Sequence, residues 1–77
     1  MDYSLTVKPS TEFEGAKPRY CEFTMARNDQ KAIEHSEQLA PTVQFVDPIT
    51  QTTCIGVPVV LEEWGEYADE SSIVKEW

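Results

Sequence analysis

The sequence predicts a small α+β fold: a two-layer sandwich with one helix on one face of an antiparallel sheet of about four strands. Three observations point there. Residues alternate with period two near the amino terminus, apolar residues recur at helical spacing over residues 29–40, and a β-branched run occupies residues 52–61. The predicted order is strand, strand, helix, strand, strand (ββαββ), followed by an acidic C-terminal helix or tail.

Tyr3, Leu5 and Val7 alternate with Ser4, Thr6 and Lys8, the pattern of a strand with one buried face. Pro9, Ser10 and Thr11 stop it. The connector PSTEFEGAKP (residues 9–18) holds Gly15 in its middle and Pro18 at its exit. It exceeds the roughly two to five residues usual in a hairpin, and surplus loop length either carries binding residues or simply moves. In RYCEFTMA (residues 19–26), Cys21, Phe23 and Met25 alternate with Tyr20, Glu22 and Thr24, giving a second strand. Asn28 or Asp29 offers an N-cap, because either side-chain oxygen can accept a free backbone N–H. Ala32, Ile33, Ser36, Leu39 and Ala40 then form one narrow stripe at helical spacing. Pro41 disfavours helical backbone at Ala40, so the helix is predicted over Asp29–Ala40.

After the helix, Val43 and Phe45 share one face of TVQFVD (residues 42–47), and Asp47-Pro48 opens a turn. TTCIGVPVVL (residues 52–61) returns as a strand. Pro58 cannot donate to a ladder, so it predicts an edge, a bulge or the strand's end. The stretch VLEEWGEYADESS (residues 60–72) is different in kind. Laid on a helix from Leu61, it puts Leu61, Trp64, Gly65, Ala68 and Ser72 on one side. Glu62, Glu66, Asp69 and Glu70 fall on the other, with Glu63 beside them. Gly65 and the like-charged pairs Glu62/Glu66 and Glu66/Glu70 weaken that helix, and no lysine relieves them before Lys75. SSIVKEW (residues 71–77) breaks the pattern, either as a short turn or as an extended end added to the sheet edge. Trp77 is expected to fold back onto the core, the alternative being a partner anchor.

A chain of 77 residues is expected to make one small acidic domain, 1–77, with an acidic C-terminal segment at 62–77. So short a chain buries only about 60–65% of its extended surface, too little to wall a large pocket. Fourteen acids against six basic residues leave a formal charge of −8. That charge disfavours direct nucleic-acid or membrane binding and favours basic grooves, although it also serves solubility. Between Glu62 and Trp77 six acids face only Lys75, so most of the excess charge lies there. On a helix, carboxylates four residues apart rise about 6 Å, of the same order as successive phosphates on a nucleic-acid strand. Lys8, Lys17, Arg19 and Arg27 lie early, making the chain dipolar, which could orient docking or support pairing with the tail.

The amino terminus lacks the features of a secretory signal, and no apolar run approaches the roughly 20 residues of a membrane span. The expected setting is cytoplasmic, with Cys21 and Cys54 reduced rather than paired. No metal is expected: His35 is the only histidine, and Glu12, Glu14 and Glu22 have no ligand-spaced loop around them. A Cys21–His35 nucleophile is disfavoured because Cys21 falls on the core face, where burial raises a thiol's pKa. No phosphate-loop or dinucleotide motif occurs, no cofactor is implied, and no enzyme is expected.

The leading functional expectation is a non-enzymatic protein-binding module whose acidic surface occupies a basic groove on a larger protein. Its size and charge are those of inhibitors made by phages and mobile elements against host nucleases, polymerases or CRISPR complexes. Glu62, Glu63, Glu66, Asp69 and Glu70 would supply long-range attraction, and Trp64 and Tyr67 desolvated contact. The alternative is an adapter or assembly subunit, monomeric or homodimeric, that binds through a sheet edge or Trp77 while the acids only solvate.

Overall fold

The computed structural model describes residues 2–11, 13–24, 26–65 and 71–77. Its elements are β1 (Asp2–Pro9), β2 (Arg19–Phe23), α1 (Asp29–Leu39), a 3-10 turn (Ala40–Thr42), β3 (Gln44–Val46), β4 (Thr53–Trp64) and β5 (Ser71–Glu76). All pairings are antiparallel, in the order β2-β1-β4-β3, with β5 also joined to β4. This is the expected α+β class, one helix against a curled antiparallel sheet, enlarged by a fifth strand.

The period-two face of β1 becomes the centre of the core: Tyr3, Leu5 and Val7 are fully buried, together with Leu61 of β4 and, almost completely, Phe45 of β3. The helix answers these large side chains with small ones, Ala32 and Ser36, and the following Ala40 is buried too. Spaced four apart, the three lie on one face and let the helix approach the sheet closely. Ser36 is buried without penalty because its hydroxyl donates to the Ala32 carbonyl at 2.8 Å. Asn28 is the N-cap, its side chain accepting from the Lys31 N–H at 2.9 Å. The helix closes at Leu39, a residue short of its expected end, because the chain tightens into a 3-10 turn with Pro41 in it.

β4 is the hub. Its residues 53–55 pair with β3, 56–64 with β1, and 60–64 with β5. Pro58 therefore sits inside a central strand, at the place where its missing donor is tolerated. It lies between the β3-paired and β5-paired stretches, beside a bulge in which Thr6 faces Val60 and Val7 faces Pro58, leaving Val59 over. The Val59 carbonyl still accepts from the Trp77 N–H at 3.0 Å. Gly56 is required by close approach: a Cβ there would strike Val7 and stand 2.6 Å from the Ala40 carbonyl oxygen. Its N–H donates to Val43 at 2.8 Å, tying the chain after the helix to the strand.

The helix expected from Leu61 is not formed. Leu61–Trp64 continues β4 and Ser71–Glu76 is β5, while the rest of that expectation, including Ala68, lies outside the described residues. The reason is local and tertiary at once. The β-branched run preceding Leu61 favours extension, like charges and Gly65 disfavour the helix, and pairing with both β1 and β5 satisfies the backbone. The second strand also stops earlier than expected, at Phe23. Cys21 and Cys54 are free, on β2 and β4, with β1 between. Leu5 faces both Cys21 and Leu61, so Cys54 lies two strand spacings across and seven residues along β4 from the level of Cys21, well beyond a disulfide's reach of about 7 Å.

Gly56→Ala should lower stability by about 2–3 kcal/mol, the usual size of an overpacking defect, read as a reduced denaturant midpoint. A Val59→Ala change, at the bulged position, should cost clearly less.

Candidate functional site

Alternation along β4 divides the acidic stretch between two faces. Leu61 points into the core, so Glu62 and Trp64 lie on the face away from α1, and Glu63 lies on the helix side. Of the residues expected to form one partner-binding surface, Glu62 and Trp64 are brought together and Glu63 is not. Glu66, Tyr67, Asp69 and Glu70 lie outside the described residues. The phosphate-like spacing expected of helical carboxylates has no counterpart at 61–64, which is extended.

On the face away from α1, the register sets side chains in rows across the strands. Tyr20, Thr6, Val60 and Glu76 form one row; Glu22, Ser4, Glu62 and Ile73 form the next; Asp2, Trp64 and Ser71 form a third. Among the described residues no element covers this face. The exposed large hydrophobics Tyr20, Val46, Ile55 and Ile73 all lie on it, Tyr20 72% and Ile73 62% exposed. Asp2, Glu22, Glu62 and Glu76 stand among them, with Lys8 at one end. Acids and aromatics are thus interleaved on the open side of the sheet, in a pattern that a helical reading of 61–72 could not reveal. Tyr20 and Glu22 were legible as the outward partners of Cys21 and Phe23.

Trp64 is fixed rather than loose. Its indole N–H donates to the Ser4 hydroxyl at 2.8 Å, holding the half-buried ring at the end of the sheet. Beside it, Asp2, Glu22, Phe23 and Thr24 line an open cleft of about 360 Å³. The cleft sets two exposed carboxylates next to an indole, the combination that receives a cationic side chain by charge and by cation–π contact.

On the helix side Glu63 meets Asp29, whose carboxylate accepts from the Tyr3 hydroxyl at 3.1 Å. Desolvation, a hydrogen bond to Asp29 and repulsion from its charge raise the Glu63 pKa above its usual 4.5. Burial, then the bond to Asp29, raises that of Tyr3 above 10.0. The Tyr3 ring stacks on Phe23 at 5.4 Å, and Phe23 meets His35 edge-on at 4.6 Å. His35 is exposed and makes no hydrogen bond to Cys21 among the described residues. The early cations do not pair with the tail there either: Lys31–Glu34 is the one ion pair among the described residues, and Arg19 lies over the Phe45 ring at 5.1 Å. Trp77 docks by its backbone, its ring 40% exposed beneath Lys75 at 5.3 Å. No group of three potential metal ligands and no helix long and apolar enough to cross a membrane occurs among the described residues.

The raised Glu63 pKa fixes a sign. The fold favours the protonated carboxyl, so this contribution is full below the unfolded value of 4.5 and is lost as pH rises through the higher folded value. Glu63→Gln, which mimics the neutral form, should therefore melt above the parent chain at neutral pH, and the gap should close on acidification below 4.5. Matched thermal melts across pH would check this. No protein-family model, curated protein or solved structure matches the chain.

Proposed function

We propose that the chain is a non-enzymatic protein-binding module whose open sheet face engages a basic surface on a larger partner. One observation carries the reading: the face left bare by α1 holds Asp2, Glu22, Glu62 and Glu76 interleaved with Tyr20, Trp64 and Ile73. Charge of one sign steers a cationic partner, and fixed aromatics give it dry contact once docked. The cleft beside Trp64 takes a lysine or arginine side chain of that partner, its charge between Asp2 and Glu22 and its stem along the indole. A nucleic-acid-binding groove is the sort of surface that fits, which places the chain among inhibitors of the phage or mobile-element kind, acting in the cytoplasm.

A second reading is favoured by one further observation. β5 borders β4 on one side only, with Ile73 and Trp77 exposed, so an adapter could bind by strand addition there, with the acids only solvating. Deleting residues 71–77 cannot separate the two, because it removes β5 itself. Point changes can.

With a partner captured from host extract and then purified, affinity should fall more than about tenfold between roughly 50 and 500 mM salt. Glu22→Gln with Glu62→Gln should weaken binding and flatten that slope, and Trp64→Ala should weaken binding without altering it. Equal affinity at both salt concentrations would exclude the charge mechanism. Loss of binding confined to Trp77→Ala would favour the edge.

A further inference from the structure

The strongly acidic chain carries a compact positive site away from the open sheet face. Phe23, Ala26, Arg27, Lys31 and His35 line a cleft of about 340 Å³ between the end of β2 and the first turns of α1. Three of the five are cationic or able to become so, in a chain with only six lysines and arginines. Phe23 and Ala26 are half-buried and form an apolar floor, and the His35 ring stands edge-on to Phe23 at 4.6 Å. The three basic side chains are exposed around that floor.

Among the described residues, nothing in the packing accounts for the arrangement. Arg27 immediately precedes the N-cap and Lys31 lies in the first turn, at the positive end of the helix dipole, where added positive charge opposes helix formation. Only Lys31 is offset, by Glu34 at 3.3 Å, on an exposed pair of the kind that contributes little. The Asp29 carboxylate, the acid of that turn, is turned to Tyr3 on the sheet side. A local choice that works against its own helix, with only that exposed pair to offset it among the described residues, marks a position kept for something other than folding.

The geometry points to this cleft as a binding site for a small anion carried on an aromatic body. The ring would lie on Phe23 and against His35, and the anionic group would be met by the Arg27 guanidinium and the Lys31 ammonium. A volume of about 340 Å³ is at the small end of ligand sites and suits a single ring with one charged substituent. Phosphate and carboxylate share the required chemistry. The site shares only Phe23 with the cleft beside Trp64, and Trp64, Glu22 and Glu62 take no part in it.

The test is an NMR titration of the full chain with phenyl phosphate, phenylacetate and inorganic phosphate. The expected result is saturable shifts confined to Phe23, residues 26–35 and the His35 ring, with one of the two aromatic anions bound more tightly than inorganic phosphate. The stronger of the pair identifies the anionic group. Arg27→Gln and Lys31→Gln should each weaken it roughly tenfold, the loss of about one charge-assisted contact, whereas Lys8→Gln should not. All three positions are exposed, and an otherwise unchanged amide spectrum confirms the fold. Shifts spread over every basic residue, an equal effect of Lys8→Gln, or inorganic phosphate binding as tightly as the aromatic anions would each overturn the proposal.

Discussion

Everything in this fold hangs on the backbone of β4 being paired on both sides. One strand must serve β1 along most of its length on one edge while β3 and β5 take successive portions of the other. That demand explains its unusual residues. Gly56 is bare because the 3-10 turn crosses at van der Waals distance, Pro58 falls in the gap between two partners, and Val59 is bulged out so that the register can continue. A chain this small has few other ways to assemble a sheet of five strands around so thin a core.

The same strand decides how charge is distributed. Because Leu61 must point inward, Glu62 and Trp64 must point outward and Glu63 must face α1. The two neighbouring glutamates therefore do different physical work. Glu62 contributes to an open, anionic, aromatic surface. Glu63 stands by Asp29 near Tyr3, where desolvation and the neighbouring carboxylate raise its pKa. The small face of the helix, Ala32 and Ser36, keeps the other layer close, and among the described residues one side of the sheet is dressed and the other bare.

Much of this was legible from side-chain periodicity. The alternation in β1, the Asn28 cap and the stripe from Ala32 to Ala40 each read correctly because local preference and tertiary burial agree there. The turn at Asp47 did too, its carboxylate accepting from the Ile49 N–H at 2.9 Å. The acidic stretch did not. From Leu61 onward the apolar residues satisfy a helical period almost as well as a strand's, and what decides between them is non-local: whether β1 and β5 lie alongside. The basic cleft was also hidden, since Phe23 lies on a strand and Arg27, Lys31 and His35 around a helix start, and only the fold makes them neighbours.

The β3–β4 hairpin has a consequence for how the molecule breathes. β1 ends opposite Gly56, so residues 53–55 and the turn beyond them extend past it. That arm is fastened by Phe45, by Arg19 over its ring, and by backbone bonds at Ser10 and Gly56. These fastenings are separate from the pairing of β4 with β1 and β5, so loosening the arm would leave those pairings in place. An opening of that arm would lie at the end of β4 remote from Trp64 and would leave the rows of Glu22, Glu62 and Trp64 in register.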